Sequence, residues 1–193
     1  MIPSWPKPLS GLRSRRAPRI DRPVKSLAYA FLAGLAAACG FQPLGLWPVT
    51  LGAFALLLWL VRSAPGLRSA LARGWWFGVG HFVLGLNWIA TAFTYQAEMP
   101  ASLGYVAVVL LSLYLAVYPA AAAGLAWRWG RGNDLRLVLV FAAAWIVTEW
   151  LRATMFTGFA WNPLGVALLA TPASWSARLV GTYGLSGLTA LLA

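Results

Sequence analysis

The sequence predicts an all-α integral membrane protein, a polytopic helical bundle of about six apolar segments with the last one truncated. Three observations carry that expectation. Hydrophobic residues make up 61% of the chain and charged residues 10%, whereas roughly a quarter of the residues in soluble domains are charged. The apolar residues are gathered into long runs. Finally, Lys and Arg collect in alternate connections between those runs, the asymmetry that orients helices in a bilayer.

The chain divides into a basic, Pro-rich stretch, 1–25, read as a cytoplasmic tail, and a partial transmembrane helical domain, 26–193. Seven of the 15 Lys and Arg residues lie in the tail (Lys7, Arg13, Arg15, Arg16, Arg19, Arg22 and Lys25), among five prolines. Such a segment suits an anionic cytoplasmic membrane surface, or serves only as a topogenic charge cluster. The pI of 11.1 therefore reports one tail plus short loops, and nucleic acid is not an expected partner. The single cysteine excludes an internal disulfide and any Cys-rich metal site. Ala38-Cys39-Gly40 after an apolar run imitates a lipoprotein signal, and Ser14-Arg15-Arg16 a twin-arginine one. Both are rejected. Cleavage before Cys39 would leave a polytopic remainder, and Pro18 stands where a twin-arginine signal needs a hydrophobic residue. Cys39 reads as a small packed residue.

Apolar runs mark helices at about 27–41, 49–61, 74–94, 103–127, 137–151 and 179–193. The first two are short for a bilayer core of about 30 Å, which takes about 20 residues. They read as a tilted or interfacial hairpin, joined by a turn containing Pro43, Trp47 and Pro48. The last run stops without a polar flank, as if cut inside a helix. Arg62, Arg68 and Arg73 fall in one connection and Arg128, Arg131 and Arg136 in another, whereas the 43–48 turn and the 95–102 loop contain neither Lys nor Arg. The N-terminus and the 62–73 and 128–136 connections are thus expected on the cytoplasmic side, and the segment after Arg152 outside. Gly74 with Gly78, and Ala30 with Gly34 and Ala38, form small-xxx-small pairs that allow helices to approach closely.

Chemistry concentrates between Trp145 and Gly165. Glu149 is the one carboxylate well inside an apolar run, and ionisable groups at membrane depth are costly enough to point to function. Arg152 lies one turn along the same helical face, within reach of an ion pair. The bland alternative is that the pair merely anchors a helix end. Thr157 and Trp161 follow on the same side, and Asn87-Trp88 sits near the outer end of the third run, where an amide lines a polar cavity and an indole sits at the interface. These six residues (Asn87, Trp88, Glu149, Arg152, Thr157 and Trp161) are the candidate lipid and substrate contacts. His81, the only histidine, is either a packing residue or part of a proton path. One histidine without a neighbouring carboxylate builds no catalytic triad, both lysines lie in the tail, and no metal set exists. No catalytic, metal or cofactor residue is expected in this chain.

Several motifs carry a family resemblance: Ala38-Cys39-Gly40-Phe41 with Trp47-Pro48, Gly74-Trp75-Trp76-Phe77-Gly78 through Asn87-Trp88-Ile89, Met99-Pro100, the 110–118 run, and Thr148-Glu149-Trp150-Leu151-Arg152 with Thr157-Gly158-Phe159-Ala160-Trp161. In these, from about residue 27 to 193, the chain resembles the N-terminal membrane half of apolipoprotein N-acyltransferase. The Thr-Glu-aromatic-Leu-Arg and Thr-Gly-Phe-x-Trp pair is the specific part. The resemblance implies a bacterial inner-membrane, multi-pass protein with a cytoplasmic N-terminus. It also implies a phospholipid acyl donor and an apolipoprotein acceptor, whose lipid-modified N-terminal cysteine receives the acyl chain through a thioester. The cysteine, lysine and glutamate of that chemistry belong, in the family, to a nitrilase-like α/β domain. None of the three is expected in this chain, Cys39 does not correspond to the nucleophile, and the chain alone is expected to be inactive. Two other classes stay open on residues alone: a helical transporter or carrier subunit using Glu149, Arg152 and His81, and a non-enzymatic scaffold that binds lipoproteins.

Overall fold

A computed structural model describes residues 23–95, 100, 102–156 and 158–193, and among them there is no strand. Eight α-helices follow one another: α1 (Pro23–Ala38), α2 (Trp47–Arg62), α3 (Leu67–Gly85), α4 (Trp88–Phe93), α5 (Ser102–Leu115), α6 (Val117–Gly130), α7 (Asp134–Thr154) and α8 (Ala177–Leu192). Two short 3₁₀ turns, Leu164–Leu168 and Pro172–Ser176, connect α7 to α8. Most of the stretch read as a tail, residues 1–22, lies outside the described residues, and 23–25 form the first turn of α1. By length and composition, two helical stretches are sufficient to cross a membrane, Ser102–Gly130 and Asp134–Thr154, and two shorter apolar helices accompany them.

The helices differ most from the six apolar runs at three places. Helix α3 starts seven residues before its apolar run because Arg68 and Arg73, read from sequence as loop charges, are helical. Arg73 is buried, and its Nη1 donates to the Leu60 carbonyl and to Ser63 Oγ (3.0 Å), tying α3 to the C-terminal end of α2. A cation there also complements the helix dipole. The third run then breaks after Gly85, so α3 ends and α4 restarts at Trp88. The fourth run is interrupted at Ala116. Pro119 has no N–H to offer the Leu115 carbonyl, whereas its neighbours on the helix, Ala116 and Ala120, still donate to Ser112 and Ala116.

Helix α3 is the central element, packed against α1 on one side and α6 on the other. Glycines set both distances. A Cβ on Gly34 would stand 2.0 Å from the Phe77 carbonyl oxygen, and one on Gly80 would stand 2.2 Å from that of Phe31. On the opposite face of α3, a Cβ on Gly74 would meet Ala123 and Pro119 at 2.6 Å. The small-residue pairs in the sequence are therefore real helix contacts. Between the helices lies an aromatic centre in which the Phe54 ring is 5.1 Å from Phe77 and 4.8 Å from Trp145. Helix α7 begins on Asn133, whose Oδ1 accepts from the Arg136 amide (3.0 Å), and it carries the site from this centre to the far end of the bundle.

Candidate functional site

Glu149 and Arg152 lie one turn apart near the C-terminal end of α7, and each is only 4% exposed. Arg152 Nη2 stands 3.8 Å from Glu149 Oε1, too far for a hydrogen bond. Both side chains are instead directed at the loop that follows the helix. Glu149 Oε1 accepts from the backbone N–H of Leu164 (2.8 Å) and from Trp145 Nε1 (3.3 Å). Arg152 Nη1 donates to the Trp161 carbonyl (2.6 Å), and its guanidinium lies over the Phe82 ring at 5.2 Å. The main chain adds a bond from Phe159 N–H to the Arg152 carbonyl (2.8 Å). The pair is thus a clamp on the 159–164 loop more than a direct ion pair.

The loop needs such a clamp because its backbone turns sharply. Phe156, Gly158 and Asn162 have φ of 53°, 72° and 52°, in the left-handed region where residues with a Cβ are strained. Asn162 is held there by donating Nδ2 to the Gly85 carbonyl (3.0 Å), which links the loop to the break between α3 and α4. Just beyond it, the Gly165 N–H donates to Ser186 Oγ on α8 (2.9 Å). Three helices therefore hold one loop.

The loop presents Trp161, 58% exposed, against Trp88, 49% exposed, with ring centroids 5.2 Å apart. Glu149, Arg152, Trp161 and Trp88 are thus brought together. Asn87 is not drawn in; it is exposed, directly before α4, and makes no side-chain cap there. The amide that enters the network is Asn162. Thr157 lies outside the described residues. Sequence reading also missed Trp145, although its place four residues before Glu149 on a helix was a usable signal. Ser186, on α8, gave none.

Two cavities flank Arg152. One, about 10 Å³, is lined by His81, Phe82, Tyr118, Glu149, Arg152 and Asn162 among others. The second, about 250 Å³, lies between α5 and the loop, lined by Leu111, Tyr114, Arg152, Met155, Phe156 and Phe159 together with Gly158. Its lining side chains are apolar apart from those of Tyr114 and Arg152. Cys39 is remote in character: it is half-buried at the end of α1, with Sγ 3.5 Å from the Leu35 carbonyl. Among the described residues no group of three His, Cys, Asp or Glu could hold a metal ion.

Residues 33–193 match the family model described as the apolipoprotein N-acyltransferase N-terminal domain. The chain is 41% identical over 167 residues to the apolipoprotein N-acyltransferase of Ralstonia nicotianae, covering 85% of this chain and 32% of that protein. It is 38% identical over 172 residues to the enzyme of the same name from Rhodopseudomonas palustris, covering 86% and 32%. The corresponding protein of Caulobacter vibrioides is 40% identical over 177 residues, covering 90% and 33%. The chain spans about a third of the length of these curated relatives. With the family model covering most of its length, the chain belongs to the apolipoprotein N-acyltransferase N-terminal domain family.

Proposed function

We propose that this chain is the membrane-embedded part of a bacterial inner-membrane apolipoprotein N-acyltransferase, crossing the membrane several times with its N-terminus in the cytoplasm. In this reading it holds the phospholipid acyl donor and the apolipoprotein acceptor near the outer leaflet. It does not itself carry the nucleophile, since its one cysteine, Cys39, is a packing residue of α1. Trp88, Glu149, Arg152 and Trp161 form the wall of the lipid site. The orientation rests on the alternation of Arg-bearing and Arg-free connections.

The observation that carries the reading is the clamp. Two charges are buried at the end of an apolar helix, and their hydrogen bonds go to the backbone of one loop, which holds an exposed indole against Trp88 while its earlier residues Met155, Phe156, Gly158 and Phe159 line a pocket of about 250 Å³. A Trp in that position offers a flat apolar face to an acyl chain and one N–H donor to an ester or headgroup oxygen. Charges tied to a loop backbone also favour a fixed binding wall over the moving charges of a carrier.

The test is Trp161→Ala in a full-length enzyme containing this domain, assayed for acyl transfer from phospholipid to a diacylated lipopeptide. Transfer should fall by at least tenfold with membrane yield and melting temperature unchanged, because the side chain is mostly exposed. Full activity would place the lipid site elsewhere.

A further inference from the structure

The smaller cavity between α3, α6, α7 and the loop has about 10 Å³ of space, close to what a single water molecule occupies when polar partners surround it. It has such partners. His81 Nδ1 and Glu149 Oε2 belong to residues on its wall, both atoms are buried, and neither makes a direct hydrogen bond among the described residues, the Ser186 hydroxyl of α8 being the other polar side chain that approaches the Glu149 carboxylate. His81 is 3% exposed, and its ring is enclosed by aromatic neighbours: Phe77 stacked at 6.3 Å, Phe41 at 5.5 Å and Phe82 at 5.2 Å. None of these rings can satisfy a ring nitrogen in its plane. Buried polar atoms in folded proteins are nearly always paired, directly or through ordered water.

We propose that this cavity is a binding site for one water molecule bridging His81 Nδ1 and Glu149 Oε2, and that His81 is thereby a positioning residue for the loop carrying Trp161. The water donates to the carboxylate, and it either donates to Nδ1 or accepts from it, so the bridge suits both tautomers. A cation fits poorly, because the Arg152 guanidinium lies on the same wall. The coupling path is short. His81 fixes the water, the water fixes one oxygen of Glu149, and the other oxygen holds the Leu164 N–H. Glycine packing keeps His81 in place, since a Cβ on Gly34 of α1 would come 2.8 Å from the His81 nitrogen of the main chain. Only the activity arm of the test below rests on the acyltransferase reading.

The experiment compares His81→Phe, His81→Asn and His81→Gln in a full-length enzyme in lipid nanodiscs, using hydrogen exchange of peptides covering residues 158–165. Asn places a polar atom where Nδ1 stands, whereas Gln places one nearer the position of Nε2. Exchange should rise about tenfold in the Phe and Gln variants and stay at the parental level in the Asn variant, with acyl transfer following the same order. Parental exchange in His81→Phe, or failure of Asn to restore it, overturns the proposal. If the exchange pattern appears while transfer is unchanged, the bridge stands and the lipid-site reading falls. A structure of the parent protein that resolves ordered solvent gives a readout independent of folding yield. A single peak within hydrogen-bond reach of both atoms supports the bridge, and a dry cavity or a different occupant refutes it.

Discussion

Replacing Glu149 by leucine removes an acceptor from the Leu164 N–H and from Trp145 Nε1, and leaves the Arg152 guanidinium buried without its counter-charge. Breaking a buried pair from one side costs about 3–5 kcal/mol, mostly because a desolvated charge is left uncompensated. At about 2–4 °C per kcal/mol for a domain of this size, Glu149→Leu should lower the melting temperature by roughly 10 °C. Glu149→Gln retains a side-chain oxygen for both donors and loses only the charge, so its loss should be smaller. The double variant Glu149→Leu/Arg152→Leu removes both charges, yet the Leu164 N–H, the Trp145 Nε1–H and the Trp161 carbonyl remain unpaired, at about 1–3 kcal/mol for each buried orphan. It should therefore stay less stable than the parent while losing clearly less than the sum of the two single variants, a non-additivity of up to about 3 kcal/mol. The assay is thermal unfolding in detergent, followed by loss of the monodisperse gel-filtration peak. A shift under about 2 °C for Glu149→Leu, or strict additivity in the double variant, would mean that water reaches the pair and the clamp is not buried in solution.

Two further outcomes follow from other parts of the bundle. Gly34→Ala puts a Cβ 2.0 Å from the Phe77 carbonyl oxygen, a backbone atom that cannot swing aside, so α1 must separate from α3. Monodisperse yield should collapse, whereas Gly52→Ala, with nothing within 4 Å, should leave it unchanged or improved; equal yields would refute the close α1–α3 crossing. In a Cys39→Ala background, cysteine at Tyr95 should react with an impermeant maleimide from outside the cell and cysteine at Pro65 should not, and the reverse pattern would invert the proposed orientation.

The parts of the site that were legible in the sequence are those expensive to keep in apolar surroundings. Glu149 and Arg152 stood out because ionisable residues inside apolar runs are rare, and their spacing already placed them on one helical face. The loop partners were not legible, because Leu164 and Trp161 contribute backbone atoms, and a main-chain N–H or carbonyl leaves no residue-type signal. Asn87 and Asn162 show the same limit from another side. Both are amides near the ends of apolar stretches, and only the left-handed turn at Asn162, with its reach to the Gly85 carbonyl, decides between them. Arg73 misled for a related reason. An arginine beside other arginines reads as a loop charge, yet Leu60 and Ser63 offer oxygens that let it be buried within a helix.

The same accounting explains why an apolar bundle keeps two charges where it does. Helix α7 ends in a loop that must reverse within a few residues, and three left-handed residues, two of them with side chains, make that loop unfavourable by itself. Hydrophobic packing holds only part of it, at Leu164 and Phe159, because Phe156 and Trp161 at its tip are exposed. What completes the hold is directional: an acceptor at Glu149, a donor at Arg152 and an amide at Asn162, each aimed at a main-chain group on another element. Charged groups make stronger hydrogen bonds than neutral ones, and with both side chains buried few competing water molecules weaken them. The two charges on α7 thus stabilise a strained loop, and the loop in turn holds the exposed Trp161 indole against Trp88.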